Sequence, residues 1–172
     1  MDKDVLICAM VMAALIIMTG CGSHEAVFRG KEYPPTEKVE TVFLKSQIPA
    51  PCRVFAHLFA TMPAGYRGSD FAAAVAEEAR VRGADMMLVG QSRQCTTGNS
   101  LAFDYYGPDR EYRVRDWPGW TYGFDDWARQ GDWTGIGYNE WGNPDIYFDY
   151  PIVMQIVLLR CQQDELHEST GR

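Results

Sequence analysis

The chain has 172 residues, with 16 Lys+Arg against 23 Asp+Glu, a net charge of −7 and 13% aromatic residues. A balance this acidic argues against nucleic acid as a partner and against an electrostatic grip on anionic lipid. The length suits one domain, large enough to bury a core without metal or several disulfides.

Residues Val5 to Met18 form an uncharged apolar run of 14. That is short for a membrane span, which needs about 20 residues, and it fits the apolar region of a secretory signal. It ends in Ile16-Ile17-Met18-Thr19-Gly20-Cys21, with the small Gly20 just before the cysteine. This stretch resembles the cleavage signal of bacterial lipoproteins. The resemblance implies removal of residues 1–20 and acylation of Cys21, and two or three acyl chains anchor a protein stably where one does not. Gly22 follows the cysteine. In the lipoproteins resembled, Asp at that place favours inner-membrane retention, so its absence implies the outer membrane, periplasmic face. Residues 21–32 read as the lipidated cysteine and a flexible polar tether, and the domain is expected over 33–161.

Val39 to Leu44 is rich in β-branched and apolar residues and predicts the first strand. Pro49-Ala50-Pro51 breaks it, and Arg53 to Thr61 predicts the second. Strict alternation there places Val54, Ala56, Leu58 and Ala60 on one face and Phe55, His57 and Phe59 on the other. Both faces are expected to be covered, with His57 a hydrogen-bonded or edge histidine. Ser69 or Asp70 suits the cap of a helix over Phe71–Arg82, whose Phe71, Ala74, Val75 and Ala79 share one face. Gly83 supplies a left-handed stop. Met86 to Val89 is then a buried strand, making a βαβ unit.

Composition changes after Gln91. Residues 103–150 hold 15 aromatics, including all five tryptophans, with seven glycines, ten acids and four arginines. An unstructured loop of that length is improbable in a domain, so insertion 96–150 is expected to build its own turns and short strands. Ile152 to Leu159 is the most strand-like run in the chain. Residues 162–172 read as a disordered tail. The expected fold is α+β in the order β-β-α-β-(insertion)-β, one small sheet of three or four strands with one main helix packed on it.

Tyr33-Pro34-Pro35-Thr36 through Val39-Glu40, the proline-rich break and the alanine-rich helix ending Arg82-Gly83-Ala84-Asp85 together resemble small bacterial lipoproteins of unknown function. These are similar in fold to the stress-sensing outer-membrane lipoprotein of the Rcs phosphorelay and to a related heavy-metal-binding-type domain. The resemblance spans roughly Tyr33 to Gln91 and the last strand, and it brings no catalytic residues. The sensor resembled has two disulfides, and this chain has too few cysteines for both.

Three cysteines follow Cys21: Cys52, Cys95 and Cys161. If the second and third strands run parallel and the last antiparallel to them, Cys52 and Cys161 share one sheet end and Cys95 lies at the other. A Cys52–Cys161 disulfide is therefore expected. No pair has zinc-ligand spacing, and no cofactor is implied. The acids Asp125, Asp126, Asp132, Glu140 and Asp145, with Asn143, are candidate calcium ligands, though their spacing matches no EF-hand loop. His24, His57 and His167 suggest no nucleophile–base pair, so a non-catalytic protein is expected. Paired carboxylates in the insertion leave glycosidase-type chemistry open.

The remaining candidate is the insertion itself. Trp117, Trp120, Trp127, Trp133 and Trp141 could form a surface for peptidoglycan or another glycan, or for an envelope protein. They could equally bury one another over a sheet face. The function expected is a membrane-anchored envelope binding or scaffolding module; the alternative is an envelope stress sensor that signals through a protein partner. Mass spectrometry of the membrane-extracted protein should find residues 1–20 missing and Cys21 acylated. A peptide with the Gly20–Cys21 bond intact would contradict the anchor.

Overall fold

The strand-like runs of the sequence meet in one mixed sheet. The computed structural model describes residues 27–95, 98–136 and 138–161. The expected signal 1–20, Cys21, the first part of the expected tether, His24 and the expected tail 162–172 lie outside them. The strands are β1 (Glu40–Val42), β2 (Cys52–Met62), β3 (Met86–Gln94), β4 (Ala102–Gly107), β5 (Tyr112–Arg113), β6 (Asp132–Thr134) and β7 (Ile152–Cys161). The main helix α1 spans Gly68–Val81, and a short α2 spans Phe124–Ala128.

The path through the sheet is β1-β3-β7-β2-β4, with β5 also on β2 and β6 also on β3. β7 runs antiparallel to both β2 and β3 and lies between them. The crossover β2-α1-β3 therefore joins parallel strands that do not touch, and the C-terminal strand fills the gap. β1 pairs with β3 in parallel. The fold is α+β with one main helix, as expected, but the sheet has seven strands. The insertion did not build a separate layer of strands. Its β4, β5 and β6 join the core sheet, because the outer edges of β2 and β3 offer backbone groups that need partners.

β7 is buried from Ile152 to Leu159. Ile152, Met154, Ile156 and Leu158 face α1, whose Phe71, Val75 and Ala79 pack down on them. Val153, Val157 and Leu159 face the other way, into two further apolar clusters. A strand buried on both faces reads as a continuous apolar run. On β2, a bulge between Val54 and Ala56 corrects the simple alternation. Phe55 and Ala56 both lie in the helix-side core, while Val54 turns to the opposite face. Beyond the bulge the expected phase holds: Leu58 and Ala60 face the helix, and Phe59 faces away.

The start of α1 also differs from expectation. Arg67 takes the cap position, and Asp70 accepts its backbone N–H at 3.3 Å. The orphan amides of Gly68 and Ser69 donate to the carbonyls of Ile146 and Asn143, at 3.0 and 3.1 Å. A distant segment of the insertion thus does what a local side chain usually does. At the other end Gly83 has φ +81°, the left-handed stop the sequence predicts. The tether is shorter than expected too. Phe28 packs edge-on against Tyr105 at 4.8 Å, and Lys31 pairs with Glu111 at 3.2 Å. The chain is fastened from Phe28 onward, within the stretch expected to be tether.

Cys52 and Cys161 face each other across β2 and β7 and are disulfide-bonded. Cys95 is buried just past the far end of β3. The bond closes a loop with a sequence separation of 109. A crosslink of that span removes about 4–5 kcal/mol of unfolded-chain entropy. Changing both cysteines to Ala should lower unfolding free energy in urea by roughly 4 kcal/mol. A loss below about 1 kcal/mol would show that the end of the sheet is held by other means.

Candidate functional site

The face of the sheet away from α1 would be wet if the insertion did not cover it. It carries Leu88 from β3, Val54, His57 and Phe59 from β2, and Val153, Gln155 and Val157 from β7. Aromatic side chains close over it. Trp117 lies on Val54, Leu88 and Val157. Trp127, set on α2, packs with Phe59, Cys95 and Val153. Tyr106 of β4 stacks on Phe59 at 4.3 Å. Trp120 lies against Gly90, where a Cβ would come within 2.6 Å of its ring. The second half of the insertion folds back to the helix side, where Trp141 meets Phe71 at 5.7 Å. Phe148 is buried there as well.

The five tryptophans therefore do not share one ligand surface, which corrects the expectation that they could. Trp117 and Trp127 are buried, and Trp120 and Trp141 are half-buried. Only Trp133 among them is well exposed, at 57%. It is nonetheless held in place. Arg93 is its direct cross-strand neighbour between β3 and β6. The Arg93 guanidinium lies 4.2 Å from the centre of the Trp133 ring and 5.2 Å from that of Trp127. Arg93 is itself buried and donates from Nη1 to the Gly131 carbonyl. A cation over a ring, with its own charge partly desolvated, fixes both groups.

The middle of this layer is polar. His57 and Gln155 are fully buried. The Trp117 indole N–H donates to His57 Nε2 at 2.9 Å. Nε2 is thus the acceptor, which leaves the proton of the neutral ring on Nδ1. Nδ1 has no hydrogen-bond partner among the described residues. Tyr106 and Tyr122 stand edge-on to the ring at 5.4 and 4.9 Å. Burial raises the Tyr106 hydroxyl pKa, with the Gln155 amide pulling the other way. So placed, His57 has no access to a substrate and serves as the hydrogen-bonded core histidine the sequence suggested.

No family model, curated relative or solved structure matches the chain.

Two of the calcium candidates use their side chains in other bonds. Asp126 accepts from Arg129, and Asn143 Oδ1 accepts the Asp145 N–H at 2.9 Å in a turn. No three His, Cys, Asp or Glu side chains among the described residues come together as metal ligands. Sequence reasoning missed Arg93 and Gln155. Both lie on predicted or near-predicted strands, but only the pairing with β6 and the insertion shows what they face.

The indole bond gives His57 a sign. Burial pulls its pKa from 6.5 down to about 3. A proton arriving at Nε2 would also displace the indole N–H. Between those values the unfolded chain binds a proton that the folded chain does not, so stability falls as pH drops below 6.5. The loss is about 1.4 kcal/mol per pH unit, or about 2 kcal/mol by pH 5. His57→Gln keeps an acceptor for Trp117 but cannot titrate. Urea midpoints from pH 7.5 to 4.5 should show a shallower acid loss in that variant by about one proton. Parallel profiles would mean His57 is protonated in the folded state.

Proposed function

We propose that the chain is a lipid-anchored envelope protein whose domain is a non-catalytic binding module held close to the membrane. Two sequence features support the anchor: the apolar run Val5–Met18 and the cysteine that ends it, Cys21. The packing of Phe28 supports closeness to the bilayer, since only a short segment separates it from Cys21. Against catalysis stands the placement of His57, buried and bonded to an indole.

The observation that carries the binding reading is Trp133. It is exposed yet fixed by Arg93, and a large aromatic presented without conformational freedom is the residue type that anchors interfaces. Its ring is suited equally to stacking on a sugar and to inserting into a partner protein. The buried tryptophans hold the support on which it stands.

Two measurements test this. Retention on purified peptidoglycan should fall for Trp133→Ala if the ligand is glycan. A photo-crosslinking residue at position 133 should capture a discrete envelope protein if it is not. In either case truncating this anchor should weaken binding by about 2 kcal/mol, roughly thirtyfold. The absence of both retention and a crosslink would remove the binding reading.

A further inference from the structure

A pocket of about 540 Å³ opens between the β1–β2 connection and β5, away from Trp133. Its floor is apolar, made by the buried Ile48 and Val114 with Ala50 and Pro51 beside them. Its polar groups are mostly of one sign: Lys45, Arg53, Arg113 and Arg115 line it, and no carboxylate does among the described residues. In a chain of net charge −7 this concentration is out of keeping with the rest of the surface.

Two of the arginines stand in a costly arrangement. Arg53 of β2 and Arg113 of β5 are direct partners in the antiparallel register. Like charges directly opposite each other in such a pair repel. Four arginines elsewhere have a carboxylate partner, Arg80 with Glu77, Arg82 with Glu78, Arg129 with Asp126 and Arg160 with Asp85, and Arg67, Arg93 and Arg110 lie over aromatic rings. Neither Arg53 nor Arg113 has an ion pair or side-chain hydrogen bond with a described residue. Arg115 has only its chain neighbour Asp116, at 3.4 Å.

The site is also built. The Lys45 ammonium is held 3.4 Å from the Trp117 carbonyl and 5.3 Å from the Trp117 ring centre. Arg53 follows the disulfide-bonded Cys52, and the facing loop is stiffened by Pro49 and Pro51.

We propose that this pocket binds a phosphate group carried on an apolar body. Guanidinium forks match phosphate oxygens, and an anion between Arg53 and Arg113 converts their repulsion into attraction. The apolar floor takes the part of the ligand next to the phosphate. That chemistry is met by a phospholipid headgroup and by a soluble organic phosphate alike. Local geometry, not net charge, makes the site, so it stands whether or not Cys21 is acylated and whether or not Trp133 binds anything.

The test uses the chain from residue 21 onward with Cys21→Ser, so that no acyl chain can carry it to vesicles, and its intrinsic tryptophan fluorescence, to which Trp117 beside Lys45 contributes. Phenyl phosphate should bind saturably and more tightly than inorganic phosphate, and benzyl alcohol should not compete. Arg53→Gln and Arg113→Gln should each weaken phenyl phosphate by about tenfold or more. In the absence of ligand, Arg113→Gln should raise the melting temperature, because it removes the cross-strand repulsion. That control separates a lost site from a misfolded variant. Flotation with vesicles of phosphatidylcholine, with and without phosphatidylglycerol, distinguishes the sources. Arginine-dependent flotation only with phosphatidylglycerol identifies a lipid headgroup, and saturable phenyl phosphate binding without flotation identifies a soluble ligand. No saturable binding of any phosphate probe, or binding unchanged in both arginine variants, overturns the proposal.

Discussion

The structure depends on one act of pairing: the insertion of β7 between β2 and β3. Those two strands are parallel and do not touch, so each shows a row of open backbone groups until the end of the chain arrives. β7 satisfies both rows and carries apolar side chains to both faces. Burying each of its large aliphatic residues is worth about 1.5–3 kcal/mol, which makes the strand the centre of the core as well as of the hydrogen-bond ladder. The disulfide then fastens its last residue to the first residue of β2. β7 comes last in the described domain, so the strand that fills the gap is the one farthest along the chain from β2.

That order explains the aromatic insertion. With β7 in place the sheet has two apolar faces and only one main helix. The insertion supplies the missing layer, and it does so with rings because few residues must cover a wide area. It then passes to the other side, where its carbonyls cap α1 and Phe148 joins the helix-side core. The cost of using Trp and Tyr is that their polar atoms go under with them. The Trp117–His57 bond answers one such need, and it ties a ring of the insertion to the centre of β2. The layer leaves outside the Trp133 ring over Arg93, the exposed rings of Phe124, Tyr138 and Tyr147, and the basic pocket beside β5.

Much of this could be read from the chain. The long apolar runs of β2 and β7, the Gly83 stop and the shared end of Cys52 and Cys161 follow from local pattern and strand direction. Four features did not. The bulge at Val54–Ala56 leaves no mark in an unbroken apolar run. β4, β5 and β6 are short and half-polar, and they become strands only because an edge awaits them. The helix cap comes from carbonyls far along the chain, and carbonyls have no sequence signature. Phe28 looked like part of a tether because its partner Tyr105 is remote. The candidate sites divide in the same way. Five tryptophans look alike as letters, and burial sorts them. Arg53 and Arg113 are unremarkable until the register sets them side by side.

The central claim is that the insertion is an integral layer of the core and not a lid over a finished one. Hydrogen exchange of the Trp117 indole N–H, followed beside the β7 amides, tests it most directly. The account predicts that the indole proton exchanges only with global unfolding, at the same free energy as the amides of Ile156 and Leu158. An indole that exchanges through a lower-energy opening, while those amides stay protected, would contradict it.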